Sequence, residues 1–297
     1  THLWFRKRYG GPDRTGARWE RKLAVVLALV PLAAIKVAGP LHWTVPGIGL
    51  IGFLGASYVT FRLVQVIVEI SDGLITELPL ARTLSYLIFF PTLASGPIDR
   101  SRRFALDAAT TWTRAEYVEL LKVSASRFTL GFAYKFVGAA LCSAWLASLP
   151  RGASVAAMYA YRCQLFFDFA GYSLMAVALS MVFGVRTPMN FRLPFAAESI
   201  KEFWNRWHIT LSFWLRDYVY TRLLMALMKR SKLGHDLANW IALATNMLVM
   251  GFWHGLEAQY IAYGAYHGLL MVADDIWQKK LPFHARWHQR TWYRLLA

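Results

Sequence analysis

Two side chains, His254 and Asp168, stand where an ionisable group is expensive, and a third, His208, lies on the polar face of an amphipathic stretch. His254 closes the uncharged run Gly251-Phe252-Trp253-His254-Gly255, Asp168 interrupts Leu165-Phe166-Phe167-Asp168-Phe169-Ala170-Gly171-Tyr172, and His208 follows Trp207 in a stretch rich in Trp and Phe. Insertion scales charge roughly 2.5 to 3.5 kcal/mol for an ionised residue at the centre of a membrane helix, so each needs a reason. An imidazole titrates near neutral pH and can take the proton of an attacking hydroxyl, a general-base contribution of roughly a hundred- to ten-thousand-fold. That chemistry suits O-acylation, where a thioester donor already carries its leaving group. His254 is the leading candidate for the base. His208 is the second, able to orient a donor, stabilise developing charge or share the proton transfer.

The plainer reading of each residue differs in strength. Asp168 reads first as a structural carboxylate bonded to Tyr, Trp, Arg or backbone donors of a neighbouring helix. For His254 the balance reverses, because Asn239, Asn246, Met250, Trp253 and His254 follow one broad helix face and read as a wet channel wall. Tyr266 and His267 read as packing against that wall, with His254 and His267 near one another across a helical hairpin. No thiolate or carboxylate set completes a metal site with them, so no metal ligands are assigned. The sequence also lacks a GxSxG elbow, an HExxH pair, a P-loop and a GxGxxG, which removes the local signatures of serine hydrolases, zincins, nucleotide hydrolases and Rossmann enzymes.

The elements that must hold these residues are membrane helices. Hydrophobic residues make up 57% of 297 and the mean hydropathy is +0.34, more apolar surface than one soluble core of this length buries. A span needs about 20 mostly apolar residues. Leu23 to Leu41, Ile48 to Glu69, Phe128 to Leu149, Ala153 to Val182, Leu237 to Trp253 and Ala258 to Ile276 fit, with Lys36 able to snorkel from the first. Thr83 to Pro97 is shorter and ends in Pro and Gly, the mark of a re-entrant segment. Ser199 to Leu224 predicts a single amphipathic helix. Phe203, Trp207, Leu211, Trp214 and Tyr218 form its apolar face, and Lys201, Asn205, His208, Ser212 and Arg216 the polar one. It either lies in the membrane interface with that polar face in water or lines a cavity with it.

The net charge of +16, from 33 Lys+Arg against 17 Asp+Glu, gathers in short clusters between apolar runs: around Arg6 to Lys22, Arg100 to Arg103, Lys229 to Lys232, and after Lys279. This is the positive-inside pattern, and it puts those clusters in the cytoplasm with Arg151 outside. No nucleic-acid module accompanies the charge, so nucleic acid is not an expected partner. Lys229, Arg230 and Lys232 suit docking of an acidic partner, although positive-inside charge alone explains them equally well. Cys142 and Cys163 lie in apolar segments outside any CxxC pair and read as packing residues. No internal repeat or linker appears, so residues 1–297 read as one membrane-embedded domain. The stretch from Thr1 is no signal peptide, and the chain reads as a fragment.

In order along the chain, Ser95-Gly96-Pro97-Ile98-Asp99-Arg100, Phe167-Asp168-Phe169-Ala170-Gly171-Tyr172-Ser173 and Asn190-Phe191-Arg192-Leu193-Pro194-Phe195 resemble the membrane-bound O-acyltransferase (MBOAT) family. Glu202 to His208 with Ser212 to Asp217, and Gly251 to Gly255, extend the resemblance over nearly the whole chain. The first and third strings, with Tyr260 to Gly268, are similar to the branch that transfers D-alanine to teichoic acids rather than to the alginate O-acetyltransferases.

The resemblance implies an all-α, polytopic bundle with re-entrant and amphipathic helices around a central tunnel in a thinned bilayer. It carries the catalytic histidine onto His254 and the second family histidine onto His208. Asp168, Asn205, Asn246, Trp253 and Tyr266 then fall along the tunnel or support it. It further implies a D-alanyl donor held as a 4'-phosphopantetheine thioester on an acidic carrier protein, with no permanently bound cofactor. The acceptor is an envelope polymer, reached directly or through a small accessory membrane protein, at the bacterial cytoplasmic membrane. Relatives of this kind carry further helices before Leu23 and after Ile276. A straight helix would put His254 near the outer surface and the resemblance puts it deep in the tunnel, which local membrane thinning reconciles.

Overall fold

The structure, a computed structural model, describes residues 18–38, 55–76, 79–150, 152–230 and 233–280. Among them every regular element is a helix. Of the described residues, chain packing separates two compact units, one from within 18–32 and 55–190 and one from within 33–38 and 191–280, and helix α1 (Arg18–Ala38) belongs to both.

In the first unit, α2 (Ala56–Ser71), α3 (Leu80–Leu87) and α4 (Ser101–Ala108) enclose an apolar cluster of Val66, Ile70, Ile75, Tyr86, Phe104 and Val185. The expected re-entrant segment is α3 followed by a 3-10 turn, Phe90–Thr92; its eight helical residues rise only about 12 Å, too short to cross. Arg62 anchors the turn from α2. Its buried guanidinium donates to the carbonyls of Tyr86 and Leu87, each at 3.2 Å, and of Thr92 at 2.9 Å, and it also reaches the Thr92 hydroxyl. The Tyr86 hydroxyl donates to the Asp99 carbonyl at 2.7 Å, and the Asp99 carboxylate accepts from Arg103 Nε at 2.6 Å. The Ser95 to Arg100 string is thus held by buried polar bonds, which are costly to leave unmade.

Helix α5 (Arg114–Phe132) begins at Thr113, whose hydroxyl accepts from the Glu116 N–H while Glu116 returns a bond to the Thr113 N–H. This capping box starts the helix well before Phe128, where apolar content alone would begin the span. The helix continues through a π turn, Ala133–Gly138, into α6 (Ala139–Ser148), and α7 (Ser154–Val182) packs along it. The helices touch where a Cβ on Gly131 would lie 2.8 Å from the Gly171 carbonyl, so only glycine permits the approach. Arg114–Ser148 and Ser154–Val182 are the two helices among the described residues that are long and apolar enough to cross a membrane. Phe128, Phe132, Phe136, Val137 and Leu141 are exposed along the first, apolar surface that lipid would cover. Cys142 and Cys163 are free thiols.

The second unit holds α8 (Ile200–Arg206), α9 (Ile209–Leu215), a π turn over Arg216–Tyr220, α10 (Thr221–Arg230), α11 (His235–His254) and α12 (Ala258–Lys280). The amphipathic stretch is therefore not one helix. It breaks at His208, whose φ of 43° and ψ of 50° are left-handed. The helical period survives the break, which is why the sequence pattern does not reveal it. Helices α11 and α12 form a tight hairpin, where a Cβ on Gly251 would stand 2.5 Å from the Tyr260 carbonyl.

Candidate active site

His254 is the last residue of α11 and is exposed. Two rings of α12 frame it: Tyr260 lies nearly parallel to the imidazole at 6.1 Å, and Tyr263 meets it edge to face at 5.7 Å. Its own neighbour Trp253 packs at 4.6 Å. His208 meets the same indole edge to face at 6.2 Å. The two histidines thus share one indole, although one ends a helix and the other sits in a turn between two. His208 is 5% exposed and lies between two short helices, outside the spanning ones. Burial, with the nearby His254 adding to it, lowers its pKa to about 3, so this ring stays neutral at physiological pH.

Local sequence explains the placement. Ser199 caps α8 by accepting from the Glu202 N–H at 3.1 Å, and Glu202 pairs with Arg206 at 2.5 Å. The chain then turns at His208 and restarts at the β-branched pair Ile209-Thr210. A left-handed non-glycine residue costs roughly 1 to 3 kcal/mol, so the surroundings must hold it.

The polar face of α8 and α9 borders a cavity of about 280 Å³, in which Lys201, Asn205, Ser212 and Arg216 face Asn239 and Asn246 of α11 and Asp274, Asp275 and Gln278 of α12. One end of it is a closed network. Asn239 accepts from the Tyr220 hydroxyl at 2.6 Å and donates to Asp275 at 3.1 Å, and Asp275 also accepts from Trp240 at 3.0 Å and pairs with Lys279 at 3.0 Å. Toward the other end, Asn246 is buried and its Oδ1 has no protein partner. Met250, one turn before His254, also lines the cavity; neither His208 nor His254 does.

The remaining expected residues fall elsewhere. Tyr266 is 59% exposed and touches His267 at 5.3 Å; it is Tyr263, one helical turn back from His267, that packs against both His254 and His267. Residues 260, 263 and 267 share a helix face by their spacing of three and four, and residue 266 points away. Asp168 lies in the first unit and is half exposed rather than buried, paired with Lys135 of the π turn at 2.5 Å. Lysine was not among the partners expected for it. Lys229 is exposed at the end of α10 beside Arg230, and Lys232 lies outside the described residues, as does Arg151. Among the described residues no group of three or more His, Cys, Asp or Glu side chains could hold a metal ion. Sequence reasoning missed Tyr260, Tyr263 and the contact made by Lys36. The ammonium of Lys36 donates to the His254 carbonyl at 3.0 Å, a tertiary contact with no local signature.

The whole chain can be set beside known proteins. The sequence profile of the membrane-bound O-acyltransferase family matches residues 1–293. The chain is 41% identical over 289 residues to the teichoic acid D-alanyltransferase of Bacillus subtilis (strain 168), covering 92% of this chain and 72% of that protein. It is 41% identical over 275 residues to the teichoic acid D-alanyltransferase of Streptococcus thermophilus, covering 89% and 66%. To the probable alginate O-acetylase of Pseudomonas syringae pv. tomato it is 35% identical over 233 residues, covering 74% and 42%. The identity is thus greater on the D-alanyl side. On the strength of the profile match and these relatives, the chain belongs to the membrane-bound O-acyltransferase family.

Proposed function

We propose that this chain moves D-alanine from a carrier-bound thioester to hydroxyls of an envelope polymer such as teichoic acid, with His254 as general base. The observation that carries the reading is an exposed imidazole at the end of α11, framed by Tyr260 and Tyr263 and sharing one indole contact with a buried, neutral second imidazole. In this reaction the acceptor hydroxyl oxygen attacks the thioester carbonyl carbon while His254 takes the hydroxyl proton. The C–O bond forms, the C–S bond breaks, and the proton returns from the imidazolium to the departing thiolate, leaving an ester and a free carrier thiol. A relay through a small accessory membrane protein uses the same step with the relay's nucleophile as first acceptor.

The donor is a D-alanyl 4'-phosphopantetheine thioester on an acidic carrier protein. The cavity suits such an arm: Asn205, Asn239, Asn246 and Gln278 present carboxamides, and the buried Asn246 Oδ1 is an acceptor for an amide N–H. The basic residues Lys229, Arg230 and Lys232 of this sequence steer the carrier. Asp168 supports the helix pair of the first unit. The family profile runs across both compact units, which supports one functional domain over 1–297. The setting is the bacterial cytoplasmic membrane, crossed several times.

O-acetylation of an exported polysaccharide is the alternative, and the lower identity to alginate O-acetylases weighs against it. Membranes containing the full protein are offered a D-alanyl carrier and, separately, an acetyl donor. Label from D-alanine alone in the polymer fraction supports the reading; label from acetate alone overturns it.

A further inference from the structure

His254 ends its helix with a carbonyl that the helix itself cannot satisfy, because the last carbonyls of any α-helix lack intrahelical donors. Gly255 continues in extended backbone, φ 179° and ψ 172°, rather than folding into a left-handed cap. The bond comes instead from Lys36 in α1, whose Nζ donates to the His254 oxygen at 3.0 Å. A cation at this point also meets the negative end of the helix dipole, worth typically about 0.3 to 1 kcal/mol near a surface. Lys36 is half-buried and has Glu257 near it.

A lysine that the sequence alone would let snorkel to water is instead spent on one carbonyl oxygen, that of the proposed base.

We propose that Lys36 is a positioning residue: its ammonium fixes the C-terminus of α11 and so aims the His254 imidazole between Tyr260 and Tyr263. This rests on the reading of His254 as the general base. Losing the bond frees the last turn of α11, and displacement of a reacting group by about 1 Å can cost about a hundredfold in rate. Donor binding in the cavity, which Lys36 does not line, is left intact.

The test uses the full protein in membrane vesicles with a D-alanyl carrier thioester. Lys36→Met keeps the length of the stem and removes the donor. It is expected to lower kcat at least tenfold with KM for the donor within about twofold, and Lys36→Arg is expected to recover most of the rate. A second measurement is independent of turnover: the rate at which diethyl pyrocarbonate modifies His254, read by mass spectrometry, changes severalfold in Lys36→Met and not in Lys36→Arg. Wild-type kcat in Lys36→Met, a loss seen only in KM, or an unchanged modification rate overturns the proposal. If Lys36→Met does not accumulate, Lys36→Gln replaces it under the same criteria. The two readings fail separately: turnover retained in His254→Ala removes the base, while an inactive His254→Ala beside a fully active Lys36→Met removes only the positioning role.

Discussion

The imidazole of His208 meets the indole of Trp253 edge to face with centroids 6.2 Å apart, and Trp253 in turn packs on His254 at 4.6 Å. One indole thus contacts both imidazoles, the buried one and the exposed one.

The buried His208 makes stability depend on pH. Its pKa is near 3 in the fold against about 6.5 unfolded, so between these values the unfolded chain takes up a proton that the folded chain refuses. Its stabilising contribution is therefore complete above about pH 6.5 and is lost progressively as pH falls toward 3. Thermal melting in detergent from pH 8 to 4.5 is expected to show a falling midpoint. His208→Gln is expected to flatten that fall; an equal slope in both proteins removes His208 as its source.

Asn246 separates binding from folding. Replacing a buried acceptor that has no protein partner by an apolar side chain of similar shape costs little stability and can add some. Asn246→Leu is expected to melt at or above the wild-type midpoint and to raise KM for the donor severalfold. An unchanged KM would show that the donor does not use this carboxamide.

The hairpin tolerates no extra volume at its seam. A Cβ on Gly251 would come within 2.5 Å of the Tyr260 carbonyl, and backbone cannot step aside as a flexible side chain can. Gly251→Ala is expected to destabilise the protein by roughly 1 to 3 kcal/mol, the usual cost of overpacking, and to lower kcat by displacing Tyr260 from His254. Wild-type melting with wild-type kcat would contradict the tight approach.

Lys135 and Asp168 answer to one another. Either single change, Lys135→Met or Asp168→Leu, leaves a lone charge on a membrane-spanning pair of helices. The double variant leaves none. The double variant is expected to accumulate in membranes better than either single one, by quantitative immunoblot. A double variant poorer than both singles would assign the pair a role beyond mutual neutralisation.

Composition and helical period make part of the fold legible in the sequence. The long apolar runs give α6, α7 and only the last turn of α5, and the polar positions Lys201, Asn205, Ser212 and Arg216 are the ones that border the cavity. Tertiary contact sets the rest, and that stays hidden. The turn at His208 keeps the helical period while reversing the sign of φ, so no pattern of side chains announces it. Choosing Tyr263 over Tyr266 requires knowing which face of α12 meets α11, which glycine contacts such as Gly251 with Tyr260 decide. The capping box at Thr113 is readable but lies outside the apolar run that draws attention first.

The central claim is that the His254 imidazole takes the proton of the acceptor hydroxyl. Its direct test is single-turnover transfer of labelled D-alanine from the carrier thioester to polymer in membranes holding equal amounts of wild type and His254→Ala. The account predicts a loss of about a hundred- to ten-thousand-fold in the transfer rate with carrier binding retained. Transfer by His254→Ala at the wild-type rate would contradict it.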